Sequence, residues 1–279
     1  MSFRAAMIQF DTAYMDVGEN ISRMSALIDE AASPSSPPDL IVMPELWTSG
    51  YSEEIFRDIR RFAQPADGKA VAMLREKARR YGVWIAGGSM VELAEDGIYN
   101  TCFLINRQGQ IAGHYRKMHL YSAMIEDKAF RNGPEMPVFE TDFGRIALMT
   151  CYDIRFVEMS RDYAMCGVEA LVVVSNWAKP KLNHWRVLLQ ARAIENQVAL
   201  LACNRVGTAG NCTYFGHSLA LDPWGEFIAE DESEKETILR AEVDLGRVAE
   251  VRRKIPMYLD RQPASYTDRI LSFYDGRTR

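Results

Sequence analysis

Three side chains in this 279-residue sequence have the types that acyl-transfer chemistry needs: Glu45, Lys117 and Cys151. They stand in the segments IVMPELWTSGY, HYRKMHLY and RIALMTCYDIRFVE, each close behind an apolar run that reads as a strand. Singly they say little. A glutamate after a strand is ordinarily a cap or a surface charge, and a lysine in an alternating strand ordinarily faces solvent. A lone cysteine behind a core strand is more often an inert small hydrophobe than a nucleophile. Together they gain meaning, because open α/β sheets gather their ligands at the carboxyl ends of strands.

The chemistry open to such a trio is attack on an amide carbonyl. A free thiol with a pKa of about 8.5 is only a few per cent ionised at neutral pH. Cys151, placed before a predicted helix, is expected to gain thiolate character from that helix start and from a cationic neighbour. A carboxylate in reach takes the thiol proton and passes it to departing ammonia. An ammonium and a backbone N–H stabilise the oxyanion, and losing one such donor costs roughly 100- to 1000-fold in rate.

The elements that must position these groups alternate between strand and helix. FRAAMIQF and LIVMP read as buried strands, separated by a helix predicted from Asn20 to Ala31 with Ile21, Met24, Ile28 and Ala32 at helical spacing. SPSSPPD (33–39) reads as a stiff polar turn. Lys69 to Tyr81 is predicted helical with Ala72, Leu74 and Ala78 inward and Gly82 at its left-handed cap. VWIAGGSMVEL, YNTCFLINRQG and QIAGHYRKMHL follow as strands, the last two joined across Arg107 to Gln110.

The second half repeats the pattern. Val138 to Thr141 and Arg145 to Thr150 are predicted strands, Phe156 to Met165 a helix, and ALVVVSN a buried strand. Lys181 to Asn196 is a longer helix with Trp185, Leu188, Leu189 and Ala193 inward. VALLACNRVG, HSLALDPWGE and ETILRAEVDL close the set as strands, and the acidic run EDESEKE (230–236) reads as a solvated turn. Helices outside two sheets in an α/β sandwich, forming one domain over residues 1–279, is the expected architecture.

Composition narrows the functional classes. The chain is 48% hydrophobic and 25% charged with a net charge of −5 and no basic block, which argues against nucleic acid as a partner. No uninterrupted apolar run approaches the ~18 residues of a membrane span. MSFRAAMIQFD lacks a secretory apolar core and cleavage site, so it reads as the first strand of a cytoplasmic protein. Cys102, Cys151, Cys166, Cys203 and Cys212 are odd in number and form no CxxC, as expected of reduced thiols. His114, His119, His184 and His217 show no paired metal spacing. A Cys–His dyad through His119, two residues from Lys117, is a competing arrangement.

PELWTSGY, YRKMHLY and TCYDIRFVE resemble, in order, the three signature segments of the nitrilase superfamily of carbon–nitrogen hydrolases, and the similarity extends through HWRVLLQARAIENQ to DPWGE. The resemblance implies a four-layer α-β-β-α sandwich and a homodimer joined through helices and the C-terminal tail. It implies neither metal nor organic cofactor. By it, the catalytic Glu, Lys and Cys fall on Glu45, Lys117 and Cys151, and a further Glu on Glu126, which otherwise reads as a solvated loop carboxylate beside Asp127. Tyr152 is expected to lend its backbone N–H to the oxyanion site.

CYDIRF and KMHLYSAMIEDKAF look most like the ω-amidase branch, specifically 2-oxoglutaramate amidases, which implies a short dicarboxylate monoamide as substrate. Arg155, four residues beyond Cys151, is about one helical turn away and suited to grip a substrate carboxylate, unless Asp153 or Glu158 pairs with it. Tyr51 and Trp177 are candidate pocket walls. A carbamoyl-amino-acid hydrolase or an aliphatic amidase or nitrilase would use the same trio. A non-catalytic binding protein and a thiol redox protein remain as other classes.

Overall fold

Successive side chains of a strand leave opposite faces, and β1 (Ser2–Gln9) is apolar on both. Phe3, Ala5 and Met7 enter one buried cluster, Ala6 and Ile8 another. Such a strand must be covered twice. The computed structural model, which describes residues 1–33, 37–262 and 265, contains both covers.

After β1 come α1 (Val17–Ala31), β2 (Leu40–Val42), α2 (Glu53–Arg57), α3 (Lys69–Tyr81), β3 (Trp84–Ala94), β4 (Gly97–Ile105), β5 (Ile111–Arg116) and α4 (Glu126–Ala129). The second half supplies β6 (Val138–Glu140), β7 (Arg145–Thr150), α5 (Val157–Met165), β8 (Ala170–Ser175), α6 (Leu182–Asn196), β9 (Ala199–Asn204), and a hairpin of β10 (Val206–Ala209) and β11 (Cys212–Phe215). β12 (Leu219–Leu221), β13 (Phe227–Glu230), β14 (Thr237–Asp244), α7 (Gly246–Lys254) and α8 (Met257–Asp260) follow.

Two six-stranded sheets result, in the orders β14-β1-β2-β3-β4-β5 and β13-β12-β9-β8-β7-β6. Each has a parallel centre, β1-β2-β3 in one and β7-β8-β9 in the other, flanked by antiparallel strands. Met7, Val42 and Leu104 of the first sheet pack with Leu148, Val172 and Leu201 of the second in one core. Met24 and Ile28 of α1 and Leu74 and Ala78 of α3 cover the outer face of the first sheet. Trp185 and Leu189 of α6 and Met159 of α5 pack with the second. The order of layers is helix, sheet, sheet, helix, as expected. Among the described residues no helix is long and apolar enough to cross a membrane.

Several local expectations change. α1 starts at Val17 rather than Asn20, because the Asp16 carboxylate accepts from the Glu19 N–H at 2.9 Å and caps the helix there. On α3 the inward residues are Ala70, Val71, Leu74, Lys77 and Ala78, whereas Ala72 is exposed; its angle on the helix lies off the stripe. The acidic run is not merely solvated. Glu230 and Glu232 pair with Arg186, Glu234 with Lys179, and Glu236 with Arg23. Residues 34–36 of the polar turn, and the C-terminal tail beyond 265, lie outside the described residues.

One irregularity in β3 bears directly on the site. The pairing of β3 with β4 shifts between Ala86 and Ser89, and Gly88 there has φ of +59°. A Cβ on Gly88 would sit 2.2 Å from the Pro44 carbonyl oxygen and 2.7 Å from Trp47 Cδ1. The bulge therefore lets β3 close on the turn that follows β2. Ser89 N–H donates to Pro44 O (3.1 Å), and Ser89 Oγ accepts from Leu46 N–H (2.9 Å). Gly88→Ala is expected to lower stability by about 2–4 kcal/mol, combining a left-handed residue with an overpacked contact. A urea midpoint and an activity assay check this; an unchanged midpoint would contradict it.

Candidate functional site

The turn held by the β3 bulge ends β2 and carries Glu45, three residues beyond the strand. Lys117 is one residue past β5, and Cys151 one residue past β7. β5 is antiparallel to β4, which is antiparallel to β3, so β5 points the same way as the parallel strands. The strand ends consequently open on one edge, and residues 72 and 34 positions apart in sequence meet there.

Lys117 Nζ donates to Glu45 Oε1 at 2.8 Å and to both oxygens of Glu126 at 2.8 and 2.9 Å. All three side chains are fully buried. Asn100 Nδ2 bridges the two carboxylates at 3.0 and 3.1 Å. Glu126 also accepts from Tyr51 Oη (3.2 Å) and the Tyr121 N–H (2.8 Å), so its reading as a solvated loop carboxylate is overturned. The other oxygen of Glu45, Oε2, accepts from Asn176 N–H at 2.9 Å, and the Asn176 amide returns a bond to Glu45 O at 2.9 Å.

Cys151 is half-buried, with a left-handed backbone (φ +48°) that few non-glycine residues adopt outside functional turns. Its thiol stands beside Glu45, Ser175 and the Asn176 backbone amide. The expected activation of the resting thiol is not what the structure holds. Burial, then the Glu45 charge, push the thiol up, outweighing Lys117. Residues Cys151–Arg155 form only a short 3-10 turn, and the α-helix expected behind the sulfur begins at Val157. Burial also raises Glu45, with Lys117 opposing and Glu126 reinforcing. Burial works against the Lys117 ammonium, but Glu126 and Glu45 together keep it charged. A buried proton acceptor thus sits on a protonated nucleophile beside a permanent cation.

His119 does not reach Cys151. Its Nδ1 lies 2.8 Å from Asp153 Oδ1, and its ring stacks on Phe156 at 3.7 Å. The Cys–His dyad is thereby replaced by a different role. Buried Asp153 accepts from Tyr115 Oη (2.7 Å), Thr150 N–H (2.8 Å) and His119 N–H (3.2 Å). It ties the end of β5, which leads to Lys117, to the turn that carries Cys151.

A cleft of about 590 Å³, partly open to solvent, leads from Cys151 to the surface. Tyr51, Tyr152, Arg155 and Trp177 all line it, with Tyr121, Met124, Asn176, Lys181 and Tyr214. Arg155 pairs with neither Asp153 nor Glu158; its guanidinium lies 4.7 Å over the Trp177 ring. Asn100, Asn176, Asp153 and Lys181 were not singled out from sequence. For Asn176 the strand-end rule held a signal, since VVVSNW places it one residue past β8. Elsewhere, His217, Glu230 and Glu232 bring ligand-type atoms within 4.8 Å of one another, but Arg186 already occupies the place a cation would take.

Residues 4–253 match the family model described as carbon–nitrogen hydrolase. The chain belongs to the carbon–nitrogen hydrolase family. It is 38% identical over 260 residues to a 2-oxoglutaramate amidase of Bacillus subtilis, covering 93% of this chain and 98% of the relative. It is 30% identical over 275 residues to the omega-amidase NIT2 of Mus musculus, covering 95% and 97%. Among solved structures, Nit3 of Saccharomyces cerevisiae, a member of branch 10 of the nitrilase superfamily, superposes with a TM-score of 0.85 at 28% identity, covering 94% and 96%.

The geometry makes two expected outcomes. Asp153→Asn removes charge from a group with four donors around it, and is expected to cost about 1–3 kcal/mol of stability and to lower kcat more than it raises KM. Denaturant midpoints with steady-state kinetics check this. Glu126→Gln deletes the negative charge that helps raise Glu45, so Glu45 should lose its proton at lower pH. The acid limb of kcat/KM then moves down in pH; a limb that stays or moves up would contradict the assignment.

Proposed function

We propose that this protein hydrolyses the terminal amide of a short carboxylated amide of the 2-oxoglutaramate type, releasing ammonia through a thioester on Cys151. The observation that carries the reading is one cleft with a thiol against a buried Glu–Lys pair at its floor and an arginine free of ion pairs, among the described residues, on its wall. The names of the bacterial and mouse relatives support the same substrate class.

The steps balance on the chain's own residues. The Cys151 thiol gives its proton to Glu45 as sulfur bonds to the amide carbon. The oxyanion is stabilised by the Lys117 ammonium and the Tyr152 backbone N–H. Collapse breaks the C–N bond, and Glu45 returns the proton to the leaving ammonia. A water then gives a proton to Glu45 as it attacks the thioester, and the second collapse regenerates the thiol and frees the acid. Glu126 holds the ammonium in place. Arg155 receives the far carboxylate through its planar fork.

The five free cysteines, among them buried Cys102 and Cys203, fit a cytoplasmic setting. Val157 and Met165 of α5 and Val187 and Ile194 of α6 are 40–54% exposed, an apolar set that suits helix-to-helix pairing of two copies. Incubating the enzyme with 2-oxoglutaramate under acid quench should give a protein mass increased by the acyl group on Cys151. Cys151→Ala should lose ammonia release by at least about 1000-fold while keeping its melting temperature. Turnover of an N-carbamoyl amino acid with 2-oxoglutaramate inert would replace the substrate named here.

A further inference from the structure

The cleft has a second cation that the reaction above does not use. Lys181 lines the same cavity as Cys151 and Arg155, and its Nζ lies 5.6 Å over the ring of Tyr121. Among the described residues neither Lys181 nor Arg155 makes an ion pair, although acidic partners are close along the chain. Lys179, two residues before, pairs with Glu234 at 2.6 Å, and Arg186, five residues after, pairs with Glu230 and Glu232. The acidic run 230–236 thus neutralises the basic residues on both sides and leaves Lys181 turned to the cleft. The Arg155 side chain hydrogen-bonds with His184, whose Nδ1 lies 3.4 Å from Nη2.

The sign of the field follows. No aspartate or glutamate lines the cleft among the described residues, while Arg155 and Lys181 do. Glu45, beside the thiol, and Glu126 are buried and face Lys117. Aromatic faces under both cations hold them in place, as quadrupoles do. An incoming amide therefore meets two positive charges at its far end. A carboxylate beside an oxo group gives acceptors to both, the planar fork taking the carboxylate and the ammonium the remaining oxygen. An α-ammonium, as in glutamine, brings a like charge into the same space.

Resting on the functional reading above, we propose that Lys181 is a specificity-determining residue, contacting the far end of the amide and selecting anionic substrates over neutral and zwitterionic ones. The alternative role, a structural one, belongs to its backbone. Lys181 O accepts from the Trp177 indole N–H and from Trp185 N–H, both at 3.0 Å, and neither bond involves the side chain. Side-chain substitution leaves those intact.

The test compares wild type, Lys181→Met and Lys181→Glu on 2-oxoglutaramate, neutral pentanamide and glutamine, with melting temperatures to confirm folding. For Lys181→Met, kcat/KM on 2-oxoglutaramate should fall about 10- to 100-fold, the loss of one charge-assisted contact, and mainly through KM. Pentanamide should change less than about twofold, and the preference for 2-oxoglutaramate over glutamine should narrow, further still in Lys181→Glu. Equal losses on all three amides, or an unchanged preference ratio, would overturn the proposal. A wild type inert toward 2-oxoglutaramate but active on another carboxylated amide defeats the substrate reading instead, and the Lys181 comparison is then read on that anion against pentanamide.

Discussion

A buried ammonium between two buried carboxylates is the constraint around which the rest is arranged. Lys117, Glu45 and Glu126 are wholly out of solvent, where an unpaired charge is very costly and removing one partner of such a group costs roughly 3–5 kcal/mol. Every strong donor nearby is therefore committed. Asn100 and Tyr51 serve the carboxylates, and backbone N–H groups of Asn176 and Tyr121 complete the set. Yet one ammonium offsets only one negative charge. The surplus carboxylate, together with burial, raises Glu45 toward its protonated form. The same imbalance that makes the cluster demanding to bury suits Glu45 to the proton transfers proposed for it.

Holding that cluster requires four strand ends from two sheets at one edge. The matching arrangement of the halves, each with a parallel centre and antiparallel flanks, meets this requirement. β2 and β5 deliver Glu45 and Lys117 from the first sheet, β7 and β8 deliver Cys151 and Asn176 from the second. Two small devices set the fine geometry. The Gly88 bulge lets β3 grip the Glu45 turn, and Asp153 joins the β5 end to the Cys151 turn. Neither touches the reacting atoms, but each controls where a reacting group can stand.

From floor to mouth the cleft changes in electrostatic character. At the floor, charges are paired and dry; along the wall, Trp177 and Tyr214 are apolar and buried. At the mouth Arg155 and Lys181 are half-exposed over aromatic rings. Such a gradient orients an amide with a charged tail, since only its carbonyl end is fit to enter the dry part.

Much of this was legible in the sequence because its signals are local. The apolar run of FRAAMIQF, the helical spacing of Lys69–Tyr81 and the three motif segments are each short and continuous in sequence, and each falls on an element or strand end of the fold. Ala72 lies off the buried stripe because each residue turns the helix by about 100°, and the start of α1 moves because a capping carboxylate decides the boundary. What only the tertiary structure decided is pairing. Whether Glu126 is solvated or clamped on Lys117, whether His119 faces Cys151 or Asp153, and whether Lys181 or Lys179 meets an acid depend on groups distant along the chain. Periodicity states which face of an element is apolar; it cannot state what stands opposite, and charge energies are set by that opposite group at a few ångströms.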